Sequence, residues 1–174
     1  MMLDQISQKW RVARFTIMVL ALITMFGTVH AQNPSPHQPG TNAEARTSDI
    51  LRQLSSGAIA RVEILQIPGR VLTRSRITPA MLEQQYHNKV EIRDITLTAY
   101  YKDVVYAFKS LVVRPEEEGA DLRWGIVFYS RTGQRAGALY FDKTGRRGVV
   151  DDLPVAFQGD FFAWVDRTFS KCLQ

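Results

Sequence analysis

Residues 121–150 constrain the fold more than any other stretch of the chain. The stretch opens with apolar residues at every second position, and these are Leu122, Trp124, Ile126 and Phe128. Such alternation is typical of a strand that buries one face. Two glycine-containing turns follow, at residues 131–134 and 142–145, and glycine adopts the positive φ that tight turns require. The sequence therefore predicts a three-stranded antiparallel meander whose apolar face must be covered by helices.

Other patterns predict the elements around this meander. Alternation predicts strands at residues 60–67 and 89–95, and a short strand at 155–157. Helices are predicted to begin at Ser48, a good N-cap, and at the Thr78-Pro79 pair. Apolar residues spaced by three and four predict a long helix over residues 97–112.

A final helix is predicted after Asp160. Its apolar stripe consists of Phe161, Trp164, Val165, Thr168 and Phe169. Together the elements predict an α+β fold: a mostly antiparallel sheet of about five strands, including the C-terminal three-strand meander, with helices packed on one face.

Residues 1–31 have the three parts of a secretory signal peptide. The basic residues Lys9, Arg11 and Arg14 precede an uncharged apolar run at 15–29, and Val29-His30-Ala31 places a β-branched and a small residue three and one positions before the cut of a signal peptidase. Cleavage is predicted between Ala31 and Gln32, and the protein is expected to be periplasmic or extracellular. The apolar run is shorter than the ~20 residues that span a bilayer. Retention of the segment as a membrane anchor is the alternative.

The predicted mature chain has two parts. Residues 32–47 contain three prolines and no hydrophobic residue larger than alanine, which predicts a flexible tether. Residues 48–174 are predicted to form a single domain. The lone cysteine, Cys172, cannot form an intramolecular bridge, so the fold is expected not to depend on disulfides.

Charge gives little support for nucleic-acid binding. The chain carries 22 basic and 17 acidic residues. Removing residues 1–31 takes away three basic residues and Asp4, which leaves 19 against 16, a net charge of +3. This surplus is small for a domain of this length, so nucleic acid is not an expected partner.

No signature of a catalytic or cofactor site is present in the sequence. The predicted domain has one histidine, His87, and lacks the G-x-S-x-G, phosphate-loop and dinucleotide-binding patterns. One histidine and one cysteine are too few ligands for a zinc site. No cofactor or metal is therefore expected. Carboxylates remain for acid–base chemistry, and the candidates are Asp142, Asp151, Asp152 and Asp160.

Arginines at the two turns of the meander form the candidate binding residues. They are Arg131, Arg135, Arg146 and Arg147. The two turns are expected at opposite ends of the middle strand, so a single patch does not follow automatically. Further arginines at 70, 74 and 76 would extend the surface if the fold brought them close. Such a surface suits an envelope protein or an anionic envelope polymer.

The absence of catalytic signatures together with the signal peptide predicts an exported, non-enzymatic binding protein. Inhibition of an enzyme and immunity to a toxin are the roles considered for it. One alternative is an envelope hydrolase that uses two of the four aspartates. The other is a structural envelope protein held by an uncleaved anchor.

Overall fold

A seven-stranded antiparallel sheet forms the centre of the computed structural model, which describes residues 39–173. The strands are β1 (Ile59–Gln66), β2 (Asn88–Ile92), β3 (Val112–Pro115), β4 (Leu122–Ser130), β5 (Arg135–Asp142), β6 (Arg147–Val150) and β7 (Leu153–Gln158), in the spatial order β2-β1-β4-β5-β6-β7-β3. The helices are α1 (Pro39–Ser55), α2 (Pro79–Gln85), α3 (Tyr100–Lys109) and α4 (Phe161–Cys172). The predicted α+β class is confirmed, with seven strands rather than about five. The predicted signal peptide and its cleavage site lie outside the described residues.

The predicted meander consists of β4, β5 and β6. Gly133 and Gly145 have φ values of +80° and +72° in its two turns, as the tight reversals require. β1 continues the sheet beside β4, while β7 and β3 continue it beyond β6. The meander therefore occupies the middle of the sheet.

The first face of the sheet is covered by α1, α3 and α4, which bury most of the aromatic side chains. Phe108 of α3 lies 4.8 Å from Phe161 of α4 between ring centroids, and Trp124 of β4 lies 5.0 Å from Phe169. All five residues of the stripe predicted for α4 are buried. Burial of each large apolar side chain contributes about 1.5–3 kcal/mol, so α4 holds the sheet and α3 together.

The second face is also apolar, which corrects the expectation that all helices pack on one face. Leu82 of α2 and the neighbouring Ile77 are buried there, against Val127 and Tyr140 of the sheet. Gly125 permits this approach, because a Cβ at that position would lie 2.7 Å from Leu82. β4 carries apolar residues on both faces, so a helix is needed on each side.

Helix α1 begins at Pro39, nine residues before the predicted start at Ser48. This corrects the expectation of a flexible tether for residues 39–47; the rest of the predicted tether, up to residue 38, is outside the described part. Ala43 is 1 % exposed and Thr47 is 7 % exposed. The Thr47 hydroxyl donates to the Ala43 carbonyl at 2.8 Å, which satisfies it in the apolar contact. Ala43 and Thr47 are small residues, so a search of the sequence for large apolar residues overlooks this contact.

The predicted helix over residues 97–112 is divided into three elements. Ile95–Leu97 form a 3-10 turn, α3 begins at Tyr100, and β3 begins at Val112 and pairs with β7. Leu97 is 86 % exposed, so it does not belong to the buried stripe. Thr98 is extended and its hydroxyl donates to the Ile95 carbonyl at 2.7 Å, which ends the turn. Valines at 112 and 113 then favour a strand.

Candidate functional site

The four predicted binding arginines lie at the two ends of β5. Arg131 is in the β4–β5 turn and Arg135 is the first residue of β5, whereas Arg146 and Arg147 follow its other end. A strand rises about 3.3 Å per residue, so the eight residues of β5 separate the ends by about 25 Å. The four arginines therefore do not form one surface.

At the Arg147 end, the loop between β1 and α2 lies beside the β5–β6 turn. A Cβ at Gly69 would lie 3.9 Å from that of Lys143. A cleft of about 410 Å³ is lined by Arg76 from the loop, by Lys143 from the turn and by Arg147 at the start of β6. We call the basic residues of these two neighbouring segments the basic lobe, defined as Arg70, Arg74, Arg76, Lys143, Arg146 and Arg147, of which Arg76, Lys143 and Arg147 line the cleft. All six residues are exposed.

The acidic residues nearest to the basic lobe are mostly engaged already. Asp121 Oδ2 accepts a hydrogen bond of 2.7 Å from Arg123, and Glu116 Oε2 accepts one of 2.6 Å from Arg147. Asp142 Oδ1 accepts from the backbone amides of Thr144 and Arg146 at 3.0 and 3.1 Å, which stabilises the turn. Glu118 also lines the cleft. Among residues 39–173, five members of the basic lobe make no ion pair, namely Arg70, Arg74, Arg76, Lys143 and Arg146.

A second cleft adjoins the basic lobe and adds an apolar wall. It measures about 850 Å³ and lies between Arg146, Arg147, β7 and the first turn of α4. Phe162 forms part of the wall and packs on Gly145, where a Cβ would meet its ring at 2.1 Å. Asp166 also lines this cleft. The lobe thus combines open positive charge with a groove in which a partner side chain fits.

At the other end of β5, Arg135 is part of a closed cluster of three side chains. Arg135 Nη1 donates to both carboxylate oxygens of Glu83 at 3.0 and 3.1 Å. The Tyr140 hydroxyl donates to Glu83 and accepts from Arg135. Burial, and then the hydrogen bond to Glu83, raise the pKa of Tyr140 above its ordinary value. A cavity of about 450 Å³ opens over this cluster.

The four candidate aspartates of the hydrolase hypothesis do not share one site. Asp142 is engaged in the β5–β6 turn, and Asp160 precedes α4 as its N-cap without a side-chain capping bond. Asp151 and Asp152 both line the cavity over Arg135. No group of three or more potential ligands in residues 39–173 is placed to hold a metal ion.

The sheet also carries a buried carboxylate that the sequence analysis did not single out. Glu63 Oε1 accepts from Arg61 Nη1 at 2.9 Å and lies 2.8 Å from Lys89 Nζ, and Tyr129 donates to Oε2 at 3.3 Å. The Arg61 guanidinium lies 3.9 Å from the centroid of the Tyr129 ring. Burial alone would lower the pKa of Lys89, but the hydrogen bond and the charge of Glu63 outweigh it and raise that pKa. This network couples three neighbouring strands.

Comparisons with family models, curated proteins and solved structures find no significant match for the chain. Within the described range, no helix combines the length and the apolar character needed to cross a membrane. The candidate sites therefore depend on geometry alone.

Of the residues that line these sites, Lys143 was detectable in the sequence, since it lies between the turn residue Asp142 and Arg146. Arg46, Glu83 and Tyr140 had no local signal. Each comes from a different segment and meets the others only in the folded chain.

Proposed function

We propose that the protein is an exported, non-enzymatic binding protein that contacts an acidic protein partner through the basic lobe. An inhibitor or immunity-type role fits this proposal. The observation that supports it is the convergence of two separate segments on one cleft, which Arg76 and Lys143 line without an ion pair among residues 39–173. Unpaired surface charges of one sign speed association with an oppositely charged partner.

A protein partner fits better than a polymer because the basic lobe is continuous with a shaped cleft. The groove beside Phe162 has apolar and polar walls, which suits an anchoring side chain. A uniform polyanion would use the charges without the groove. Export remains part of the proposal and depends on the pattern of residues 1–31.

The test is affinity capture from a cell-envelope extract with two matched triple variants. The first is Arg76→Ala/Lys143→Ala/Arg146→Ala in the basic lobe. The second, Arg131→Ala/Arg167→Ala/Lys171→Ala, removes the same charge from exposed positions elsewhere. We expect the wild type and the second variant to retain a stoichiometric acidic protein, and the first variant to lose it. Raising the salt concentration should also elute the partner.

Two outcomes would contradict the proposal. One is a partner held equally well by the basic-lobe variant. The other is a monomeric wild-type protein that retains no partner under conditions of low salt.

A further inference from the structure

Some of the charged side chains that line the cavity at the Arg135 end of β5 make no ion pair with another described residue. Its volume of about 450 Å³ lies within the range of small-molecule sites. Four elements supply its polar lining, which consists of Arg46, Glu83, Arg135, Tyr140, Asp151 and Asp152. Residues that are distant in the sequence thus converge on a single space.

Three of these side chains are already engaged with one another. Arg135 binds both oxygens of Glu83, and Tyr140 bonds to both partners. Tyr140 as a whole is 0 % exposed. The charges of Arg135 and Glu83 therefore cancel, and the cluster forms a fixed wall of the cavity.

The remaining charges are one cation and two carboxylates. Asp151 Oδ1 accepts from the Ala138 amide at 3.0 Å, which fixes the carboxylate and leaves Oδ2 without a hydrogen bond to any described residue. Arg46 and Asp152 are exposed, and neither makes an ion pair within the part of the chain that the structure describes. Arg46 does act through space on Asp49, whose pKa is lowered first by hydrogen bonds from Arg52 and Gln53 and further by the charge of Arg46.

We propose that this cavity binds a small amino acid whose side chain carries a second cationic group. The ligand α-carboxylate pairs with Arg46, and its two cationic groups pair with Asp151 and Asp152. A ligand with one negative and two positive charges matches the open charges of the cavity one for one. A neutral amino acid leaves one carboxylate unpaired, and an acidic one places a second carboxylate against like charge. This site is separate from the basic lobe and does not depend on the function proposed for it.

The test is calorimetric titration of the whole protein at neutral pH and low salt with four probes: L-lysine, L-alanine, L-glutamate and cadaverine. L-Lysine should bind most tightly, and L-glutamate should not bind. Cadaverine has two cationic groups and no carboxylate, so it reports on the aspartates alone.

Three variants assign the contacts. Asp152→Asn should weaken L-lysine and cadaverine by about tenfold, which corresponds to one lost charge-assisted contact. Arg46→Gln should weaken L-lysine and leave cadaverine unchanged or slightly tighter. Arg131→Gln, at an exposed position in the β4–β5 turn that does not line the cavity, is the control and should bind like the wild type. Both cavity positions are exposed, and thermal unfolding confirms that the variants keep the fold.

The proposal is overturned if L-lysine produces no heat at a concentration of about 10 mM. It is equally overturned if L-glutamate binds as well as L-lysine, or if Asp152→Asn binds L-lysine like the wild type. If Arg46→Gln weakened the binding of cadaverine and L-lysine alike, Arg46 would not be the partner of the ligand carboxylate. The assignment of the ligand as an amino acid would then be wrong.

Discussion

Glu63 is the side chain whose charge the sheet depends on most directly. Its side chain is 9 % exposed, and it takes part in contacts with Arg61, Lys89 and Tyr129. Hydrogen bonds to charged groups contribute about 1.5–3 kcal/mol each when they are buried. Arg61 and Lys89 are partly exposed and also lie within 4 Å of Glu91, so they keep some compensation when Glu63 is neutralised.

Glu63→Gln is therefore expected to lower the free energy of unfolding by about 2 kcal/mol. Equilibrium urea denaturation measures this change. Glu117→Gln, at an exposed position in the loop before β4, is the matched control and should change it by less than about 0.5 kcal/mol. Equal effects of the two substitutions would show that the network adds nothing to stability.

Tyr140 predicts a pH dependence at the alkaline end. Its pKa is raised above the ordinary value of 10.0 by burial and by the bond to Glu83. A raised folded pKa means that the folded state holds its proton more tightly. The stabilisation is complete below pH 10 and is lost as the pH rises from there towards the folded pKa.

We expect the wild type to lose about 1.4 kcal/mol more stability per pH unit above pH 10 than Tyr140→Phe, which has no proton to release. Urea denaturation at pH 9, 10 and 11 measures the difference. Tyr106→Phe, at a ring that is 76 % exposed, should follow the wild type. Parallel pH profiles for the wild type and Tyr140→Phe would exclude the raised pKa.

At the residue scale, the sequence could identify turn residues and charged positions but not their partners. Gly133 and Gly145 were predictable because positive φ is a local requirement. The shared cavity of Arg46 and Asp152 was not predictable, because only the packing of α1 beside the sheet brings both residues to it. The same reason explains why Arg76 and Lys143, which share a cleft, had no detectable relation in the sequence.

Helix α1 supplies a prediction at the scale of the element. Ala43 is buried, whereas Ala45, two residues later on the same helix, is exposed. A charge introduced at a buried position without a partner is strongly unfavourable. The two alanines therefore distinguish a packed helix from the flexible tether that the composition predicted.

Ala43→Asp is expected to destabilise the protein by about 3 kcal/mol, and Ala45→Asp by less than about 0.5 kcal/mol. Thermal and urea unfolding of the full-length protein measure both changes. If residues 39–47 did not pack on the domain, the two variants would have the same stability.

Elements whose signal is local and strong were predicted well, and those set by tertiary pairing were not. α4 begins after Asp160 and buries the predicted stripe, because its pattern has one period and a clear start. Val112 was assigned to the end of a helix because the apolar spacing continues as far as this residue, whereas the structure places residues 112–115 in β3. Their pairing with β7 decides the matter, and such pairing is not visible in a single segment.

At the scale of the whole molecule, the exposed edges of the sheet explain how the domain avoids pairing with other chains. The edge strand β2 carries Lys89 and Glu91, and the opposite edge strand β3 is four residues long and ends at Pro115. Short edges, charges and proline all discourage the addition of another strand. A partner is therefore expected at the basic lobe rather than at a sheet edge.

Export is the property on which the proposed function depends, and it is argued from residues 1–31 alone. A basic start, an apolar run, and Val29 and Ala31 at the third and first positions before Gln32 fit the pattern of a cleaved signal peptide. We expect intact-mass analysis of the exported protein to give a chain that begins at Gln32. Ala31→Arg, which places a large charged residue immediately before the cut, should block cleavage and leave the precursor attached to the membrane.

Ala45→Asp, outside the signal, is the control and should be cleaved normally. Full-length wild-type protein found in the cytosol, or retained uncut in the membrane, would exclude the predicted cleavage and leave the basic lobe to act in a different setting.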